Sequence, residues 1–189
     1  ASRGATACAN CTIGSWCAEG SSAPTPCGSG NYSSQLGLRS ADECRACEAG
    51  SWCSAGVVIP CVSNTYNDRR GASSQGDCTP CPTSAFTDGD SKTSLDDCIC
   101  EPGYYGTNSN GSLSCQNCPV GSNGSEPGAT LEPLPLKEGH WRASLETTDV
   151  RRCPGNTGGS SCVGTLGCGS SDCSSASFTG CKPGTEGPY

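Results

Sequence analysis

The sequence is poor in the residues that build a hydrophobic core. Leu, Ile, Val and Phe together number 20 among 189 residues, methionine is absent, and there is a single histidine. A chain with less than about 20% of such large apolar residues normally stays disordered unless it is cross-linked. The longest aliphatic run, residues 57–59, is far too short to cross a membrane. These shortages exclude a single globule with one large core, and they exclude membrane insertion within the chain.

Positive charge is also scarce and scattered. Lys and Arg number 11 against 18 Asp and Glu, which gives a net charge of −7. The adjacent basic pairs, Arg69-Arg70 and Arg151-Arg152, are too small to form a binding face. Because a nucleic-acid-binding protein needs such a basic face to meet the phosphate backbone, we expect no nucleic-acid partner.

Known catalytic patterns are missing as well. The sequence contains neither a Gly-x-Ser-x-Gly nucleophile motif nor a glycine-rich phosphate loop before a helix. The one histidine, His140, stands beside a predicted turn, and we interpret it as an exposed loop residue. We therefore expect no enzymatic activity and no cofactor.

One acidic stretch could offer oxygen ligands to calcium. It contains Asp88, Asp90, Asp96 and Asp97. It lacks the spacing and the terminal Glu of an EF-hand, and it lacks the acidic start of calcium-binding EGF modules. We interpret it as a solvated hairpin tip and expect no metal site.

Cysteine, in contrast, is abundant, with 19 residues or about one in ten. Four Cys-x-x-Cys pairs occur, at Cys8/Cys11, Cys44/Cys47, Cys78/Cys81 and Cys115/Cys118. Paired thiolates can hold zinc, but these pairs begin 34 to 37 residues apart, and eleven further cysteines would have no role. Disulfides formed in an oxidising compartment explain both groups and replace the missing core. We therefore predict an extracellular protein, secreted or on the cell surface.

The cysteines are phased. The stretch from Cys11 to Cys17 matches that from Cys47 to Cys53, each with Gly-Ser-Trp before the second cysteine. An aromatic residue also follows a cysteine after five positions, in the pairs Cys11/Trp16, Cys27/Tyr32, Cys47/Trp52, Cys61/Tyr66, Cys81/Phe86 and Cys100/Tyr105. We expect each ring to cover its own disulfide; stacking on a sugar is the alternative.

Loop lengths predict several disulfides. Three separations of 17 residues and one of 15 follow equivalent aromatics, which indicates the pairs Cys27–Cys44, Cys61–Cys78, Cys81–Cys98 and Cys100–Cys115. A closed loop of that size contributes about 3 kcal/mol in the chain-entropy description. Two pairings stay open, because Cys11 with Cys17 and Cys47 with Cys53 could pair among themselves or with neighbours of the Cys8 type. Thr87 stands where the first two repeats have a cysteine, which predicts a shorter third repeat.

These motifs resemble known modules. The frame CxxGxWC…PTPCxxGxY…DEC between Cys11 and Cys44 resembles the ephrin-receptor-like cysteine-rich repeat, which is related in shape to the modules of tumour-necrosis-factor receptors. The stretch from Cys98 to Gly106 resembles an EGF-like or laminin-like continuation. Gly-x-Trp-Arg at residues 139–142 and the tail from Cys181 resemble segments of large extracellular proteins of algae and other protists. The resemblance implies an elongated tandem array of small disulfide-rich, cysteine-knotted modules with short β-hairpins and almost no helix.

Residues 119–152 contain no cysteine. A Pro-rich approach, a turn at Glu138-Gly139 and a short strand through Trp141 and Val150 are expected there. We favour a hydrophobic cluster over a linker, built from Leu131, Leu134, Leu136, Trp141 and Val150.

Sugar acceptors agree with an extracellular location. Asn-x-Ser/Thr sequons begin at Asn10, Asn31, Asn110 and Asn123. The stretch from Ser21 to Pro26 favours O-linked sugar, with Ser21, Ser22, Pro24, Thr25 and Pro26 as acceptors, the prolines if they are hydroxylated.

The predicted organisation is five segments: two cysteine-rich repeats at 1–43 and 44–77, a shorter repeat with its continuation at 78–118, the cysteine-free segment 119–152, and an EGF-like module at 153–189. The odd cysteine count leads us to expect a piece of a longer array, with partners for Cys8 before residue 1 or a cysteine following Tyr189. We expect a non-enzymatic structural segment of a large secreted glycoprotein that forms a fibre, surface layer or flagellar-hair-type filament. Its partners would be covalent glycans and other copies or other matrix or fibre proteins. The alternative is the ligand-binding ectodomain of a cell-surface receptor.

Overall fold

The structure, a computed structural model, describes residues 11–153. The predicted acceptor Asn10 and nearly all of the predicted C-terminal module lie outside the described residues. Short strands dominate the described part: β1 (Ser15–Trp16), β2 (Thr25–Pro26), β3 (Asn31–Tyr32), β4 (Arg45–Ala46), β5 (Ser51–Ser54), β6 (Val57–Pro60), β7 (Thr65–Tyr66), β8 (Thr79–Pro80), β9 (Ala85–Thr87), β10 (Cys98–Cys100), β11 (Tyr104–Ser109), β12 (Ser112–Asn117), β13 (His140–Arg142) and β14 (Val150–Arg152).

The strands form separate two-stranded sheets, in which each odd-numbered strand pairs with the strand that follows it, from β1 with β2 to β13 with β14. The antiparallel register places Trp16 opposite Thr25 and Trp52 opposite Ile59. The longest hairpin, β11 with β12, pairs six residues on each strand and turns at Asn110-Gly111, where both residues have positive φ. Asn-Gly is the preferred sequence for this tight turn. The predicted disulfide-rich, hairpin-based fold with almost no helix is confirmed.

Helix is limited, among the described residues, to three short 3-10 helices: Ala41–Glu43, Gln75–Asp77 and Leu95–Asp97. Each follows a serine and ends with an acidic residue just before a cysteine. The carboxylates of Glu43, Asp77 and Asp97 accept hydrogen bonds from the backbone N–H of that serine and of the residue before it. This reciprocal arrangement is a capping box, which satisfies backbone donors at the start of a helical turn.

A unit of about 18 residues repeats along the chain, and we call it a half-module. Successive half-modules begin at Cys11, Cys27, Cys47, Cys61, Cys81, Cys100, Cys118 and Leu136. The residue at position 3, counted from that first residue, always has positive φ, between 59° and 95°. It is glycine in most half-modules, but Asn64 and Ser84 occupy it in the fourth and fifth. Glycine adopts this conformation without steric cost, and asparagine tolerates it better than most residues.

In four half-modules the position-3 residue joins its half-module to the next one through both of its backbone groups. The N–H groups of Gly14, Gly30 and Gly50 donate to the carbonyls of Ser33, Cys53 and Asn67 at 2.8–3.0 Å. Their carbonyls accept from the N–H groups of the cysteines that begin the next half-modules, at 2.8–2.9 Å. Gly103 repeats both bonds with Gly124 and Cys118. The same pair of backbone hydrogen bonds therefore recurs at four of the joints between half-modules.

A second recurring pair of backbone hydrogen bonds involves positions 0 and 6 of the half-module. The carbonyls of Cys11, Cys47, Cys61 and Cys100 accept from the N–H at position 10 of the following half-module, at 2.8–3.0 Å. The N–H groups of Cys17, Cys53, Asn67 and Gly106, all at position 6, donate to the carbonyl at position 11 of the following half-module. Net stabilisation by one such bond is about 1 kcal/mol, so repetition, rather than any single contact, holds the half-modules together.

The chain divides into two compact units. The first comprises the residues up to Cys81 together with Phe86–Cys98, and the second comprises Pro82–Ala85 and the residues from Ile99 onward. Cysteine supplies most of the buried apolar residues of the first unit, while Tyr105, Leu134 and Leu136 supply much of the second. Within residues 11–153, no helix has the length and apolarity needed to cross a membrane.

Candidate functional site

Six disulfides occur among the described residues. Four close the long loops, Cys27–Cys44, Cys61–Cys78, Cys81–Cys98 and Cys100–Cys115, which are the four pairs expected from the loop lengths. The two pairings left open are short loops, Cys11–Cys17 and Cys47–Cys53, each with a sequence separation of 6. All six have Cα–Cα distances of 5.6–5.9 Å, within the usual range for a disulfide.

Position 6 distinguishes the two kinds of half-module. Where a short-loop disulfide forms, position 6 is Cys17 or Cys53. In three of the four long-loop half-modules it is a buried polar residue, Ser33, Asn67 or Thr87, and in the fourth it is Gly106. Each of the three polar side chains hydrogen-bonds the backbone of the residue two positions later. A local polar contact thus takes the place of the short disulfide, which accounts for Thr87 in the third repeat.

The seventh half-module has a cysteine but lacks its partner. Cys118 is the free thiol among the described residues and is half-buried. Position 6 is Gly124 here, and a Cβ on Gly124 would overlap the Cys118 sulfur. The thiol therefore occupies the place in which the first and third half-modules have a disulfide. Burial raises the pKa of the Cys118 thiol, which disfavours the reactive thiolate.

The eighth half-module begins with leucine instead of cysteine, yet it has the same glycine and aromatic positions as the others. Leu136 stands at position 0, Gly139 has φ of 79° at position 3, and Trp141 supplies the aromatic at position 5. The Gly139 carbonyl accepts from the N–H of Cys153 at 2.9 Å, as most of the other position-3 carbonyls do from the next cysteine.

Position 6 of this half-module is Arg142, whose side chain is 1% exposed. Its guanidinium donates to the carbonyls of Leu131 and Glu132. Leu134 and Leu136 are buried beside this segment, whereas Leu131, Trp141 and Val150 are half-buried. The expected turn at Glu138-Gly139 is present. Instead of a single strand, Trp141 and Val150 lie on two paired strands, β13 and β14.

Side chains also connect neighbouring half-modules at their edges. Arg70 pairs with Glu48, and the Asp90 carboxylate accepts from the backbone N–H and the hydroxyl of Ser63 at 2.7 and 2.8 Å. Both contacts join position 9 of one half-module to position 1 or 2 of the preceding half-module. Two aspartates of the acidic stretch therefore have different partners: Asp97 caps a 3-10 helix, whereas Asp90 accepts hydrogen bonds from Ser63.

The three described N-glycosylation sequons differ in exposure. Asn110 and Ser112 are both exposed at the β11–β12 turn. Asn31 is half-buried in β3, and the hydroxyl of its sequon residue Ser33 is buried and hydrogen-bonded to Gln35. Asn123 is half-buried, with its side-chain oxygen accepting from the N–H of Ser125 at 3.2 Å. In the Ser21–Pro26 stretch the residues are exposed except for Ser21, which is half-buried.

The aromatic residues at position 5 form a regular set. Trp16, Tyr32, Trp52, Tyr66 and Phe86 are half-buried, and Tyr105 is buried with its hydroxyl donating to Gln116 at 3.1 Å. His140, interpreted from the sequence as an exposed loop residue, is instead half-buried in β13; its ring lies against Gly121, and its Nδ1 lies 3.2 Å from the Glu138 carbonyl oxygen.

Three or more metal-ligating side chains do not converge anywhere in residues 11–153. No protein-family model matches the chain, and no curated protein matches it significantly.

Sequence reasoning missed the eighth half-module and the buried role of Arg142. A cysteine-based alignment ends at Cys118, because Leu136 replaces the cysteine on which the alignment depends. The signal that could have found it is the Gly-x-Trp spacing after Leu136, which repeats that after Cys11 and Cys47.

Proposed function

We propose that this chain is a non-enzymatic structural segment of a large secreted glycoprotein, one that forms an extracellular fibre, surface layer or flagellar-hair-type filament. The observation that carries the proposal is the recurrence of the same backbone hydrogen bonds from one half-module to the next. Repeat proteins of this kind are stabilised by nearest-neighbour contacts and can extend without limit in one direction.

The hydrogen bonds of the polar side chains support a structural role for the chain. The carboxylates of Glu43, Asp77 and Asp97 cap 3-10 helices, Asp90 holds Ser63, and Asn67 supports its own loop. These groups serve the backbone of the chain that carries them, which is what a scaffold requires.

The expected environment supports the same proposal. Six disulfides in residues 11–153 require an oxidising compartment to form and persist. Exposed acceptors at Asn110 and in the Ser21–Pro26 stretch would carry glycans that keep an array soluble. The cysteine, glycine and aromatic spacing further leads us to propose modules of the ephrin-receptor-like kind.

The test is to secrete the chain from a eukaryotic host and follow its association by analytical ultracentrifugation and electron microscopy. We expect concentration-dependent assembly into filaments or sheets by oxidised, glycosylated protein. A protein that stays monomeric but binds cells saturably would replace this proposal with the receptor ectodomain. Reduced and alkylated protein is the control, because it keeps the composition and loses the scaffold.

A further inference from the structure

The disulfides divide the chain into parts that can and cannot lengthen under tension. A disulfide carries force directly between its two cysteines, so the loop that it closes does not extend. Among the described residues of the first unit, the longest stretch outside a disulfide loop is residues 18–26, between Cys17 and Cys27. Residues 54–60 form the next longest such stretch, and only two residues separate Cys44 from Cys47 and Cys78 from Cys81. In the described part of this unit, therefore, no stretch outside a disulfide loop exceeds nine residues.

The second unit is different beyond Cys115. No residue from 116 to 152 takes part in a disulfide, because Cys118 is unpaired and residues 119–152 contain no cysteine. We call residues 116–152 the uncrosslinked segment. Fully extended, a chain of this length spans about 120 Å.

Non-covalent contacts alone hold this segment folded. Leu134 and Leu136 are buried, and Arg142 donates to the carbonyls of Leu131 and Glu132. The backbone bonds Gly103–Gly124, Gly106–Ala129 and Lys137–Gly121, at 2.6–2.8 Å, complete the attachment. Such contacts break at far lower load than a covalent bond, and they re-form when the load is removed.

We propose that the uncrosslinked segment is a reversible extensible link: under tension it opens first and releases its length, while the disulfide-bonded half-modules keep theirs. Opening would limit the force that reaches the disulfides on either side. The inference concerns how this chain responds to tension, so it does not depend on whether the parent protein is a fibre or a receptor.

The test measures extension between defined points of the oxidised full chain. Handles are attached through azide-bearing residues, so that no cysteine is used, at the exposed positions Asn117 and Arg152. The control pair is Val62 and Asp96, which are also exposed and lie a similar number of residues apart within the first unit. Optical tweezers then record the length gained by each pair.

We expect the Asn117–Arg152 pair to open in one step to about 120 Å and to refold on relaxation. The Val62–Asp96 pair should stay within about 30 Å, because the path between its handles runs through the disulfides Cys61–Cys78 and Cys81–Cys98. Reductant should allow both pairs to reach about 120 Å. The proposal is overturned if the Asn117–Arg152 pair opens only after reduction, or if both pairs extend equally without it.

A substitution pair tests what holds the link closed. Leu136→Ala should lower the opening force and leave the length gain unchanged, whereas Val120→Ala, at a side chain 91% exposed, should change neither. An unchanged opening force in the Leu136→Ala chain would contradict the role given to the buried leucines. The wild-type measurement remains decisive if that variant does not fold.

Discussion

Gly14 and Gly56 meet backbone to backbone: a Cβ on Gly14 would lie 2.8 Å from the carbonyl oxygen of Gly56. The two residues belong to the first and third half-modules. The same approach recurs between Gly30 and Gly71 and between Gly50 and Ser91. Each half-module in this part of the first unit therefore touches the second one after it, as well as the next.

This approach predicts that Gly50→Ala is strongly destabilising. The φ of Gly50 is 79°, and the new methyl would overlap the carbonyl oxygen of Ser91. Gly71→Ala is the matched control, because its φ is 78° and no atom lies within 4 Å of the new methyl. We expect the control to lose about 1–2 kcal/mol from backbone strain alone, and Gly50→Ala to lose more. Thermal unfolding with disulfides intact measures both, and equal losses would mean that the close approach adds nothing.

Restoring a partner to Cys118 should form a seventh disulfide in the described part. In Gly124→Cys the new side chain stands at position 6, next to the Cys118 sulfur, as Cys17 and Cys53 stand next to their partners. We expect the free thiol at Cys118 to disappear in alkylation mass spectrometry. Gly124→Ser is the control, since it crowds the sulfur without bonding to it. If Cys118 is still alkylated in the cysteine variant, the equivalence of position 6 is wrong for this half-module.

The capping carboxylates predict acid sensitivity. Hydrogen bonds from the backbone N–H groups of Ser73 and Ser74 lower the pKa of Asp77, and those from Thr93 and Ser94 lower the pKa of Asp97. A lowered folded-state pKa gives stability that is present above the ordinary value of 3.8 and is lost as the pH falls through the folded-state pKa. Stability should therefore decline below about pH 4.

The variant Asp77→Asn keeps an acceptor oxygen but removes the charge. We expect it to be less stable than wild type at neutral pH, and the difference should shrink on acidification. Asp88→Asn, at an exposed carboxylate outside the capping boxes, is the control. Unfolding curves at several pH values measure the stability difference between Asp77→Asn and wild type. If that difference is the same at every pH, the charge of Asp77 is not its cause.

Arg142→Ala should loosen the end of the second unit. The change removes two hydrogen bonds from a charged donor and leaves the carbonyls of Leu131 and Glu132 without them, a loss of about 2–4 kcal/mol. Arg151→Ala removes only an exposed pair with Asp149 and should cost much less, because solvent screens an exposed pair. Amide hydrogen exchange reports the loss locally at Lys137, whose N–H donates to Gly121, and at Gly106, whose N–H donates to Ala129. Unchanged protection in Arg142→Ala would contradict the role assigned to the buried guanidinium.

Glycan occupancy should follow exposure. We expect Asn110 to carry sugar more completely than Asn31, because Asn110 and Ser112 are exposed while Ser33 is buried and engaged with Gln35. Asn110→Gln should therefore remove more glycan mass than Asn31→Gln when the chain is secreted from a eukaryotic host. Higher occupancy at Asn31 would show that sugar is added before these contacts form.

Cysteine spacing was sufficient to predict the long-loop pairs, because equal separations reflect equal loop geometry. It could not predict Asn64 and Ser84 at position 3, since both residues are common in ordinary loops and only the backbone reveals their positive φ. The burial of Arg142 could not be predicted either. Charged side chains are rarely buried, so nothing in the residue type indicates that this one replaces a cross-link. The part of the chain that sequence describes least well is the part in which cysteine is missing.

The recurring joints between half-modules use main-chain atoms, so their hydrogen bonds depend little on which side chains flank them. Gain or loss of one whole half-module would present the same donors to the same acceptors, and the residues on either side would need no compensating change. Natural variants of such a protein should accordingly differ in length by steps of about 18 residues, the mean spacing of the half-modules. Insertions of other sizes should collect in the loops between those joints.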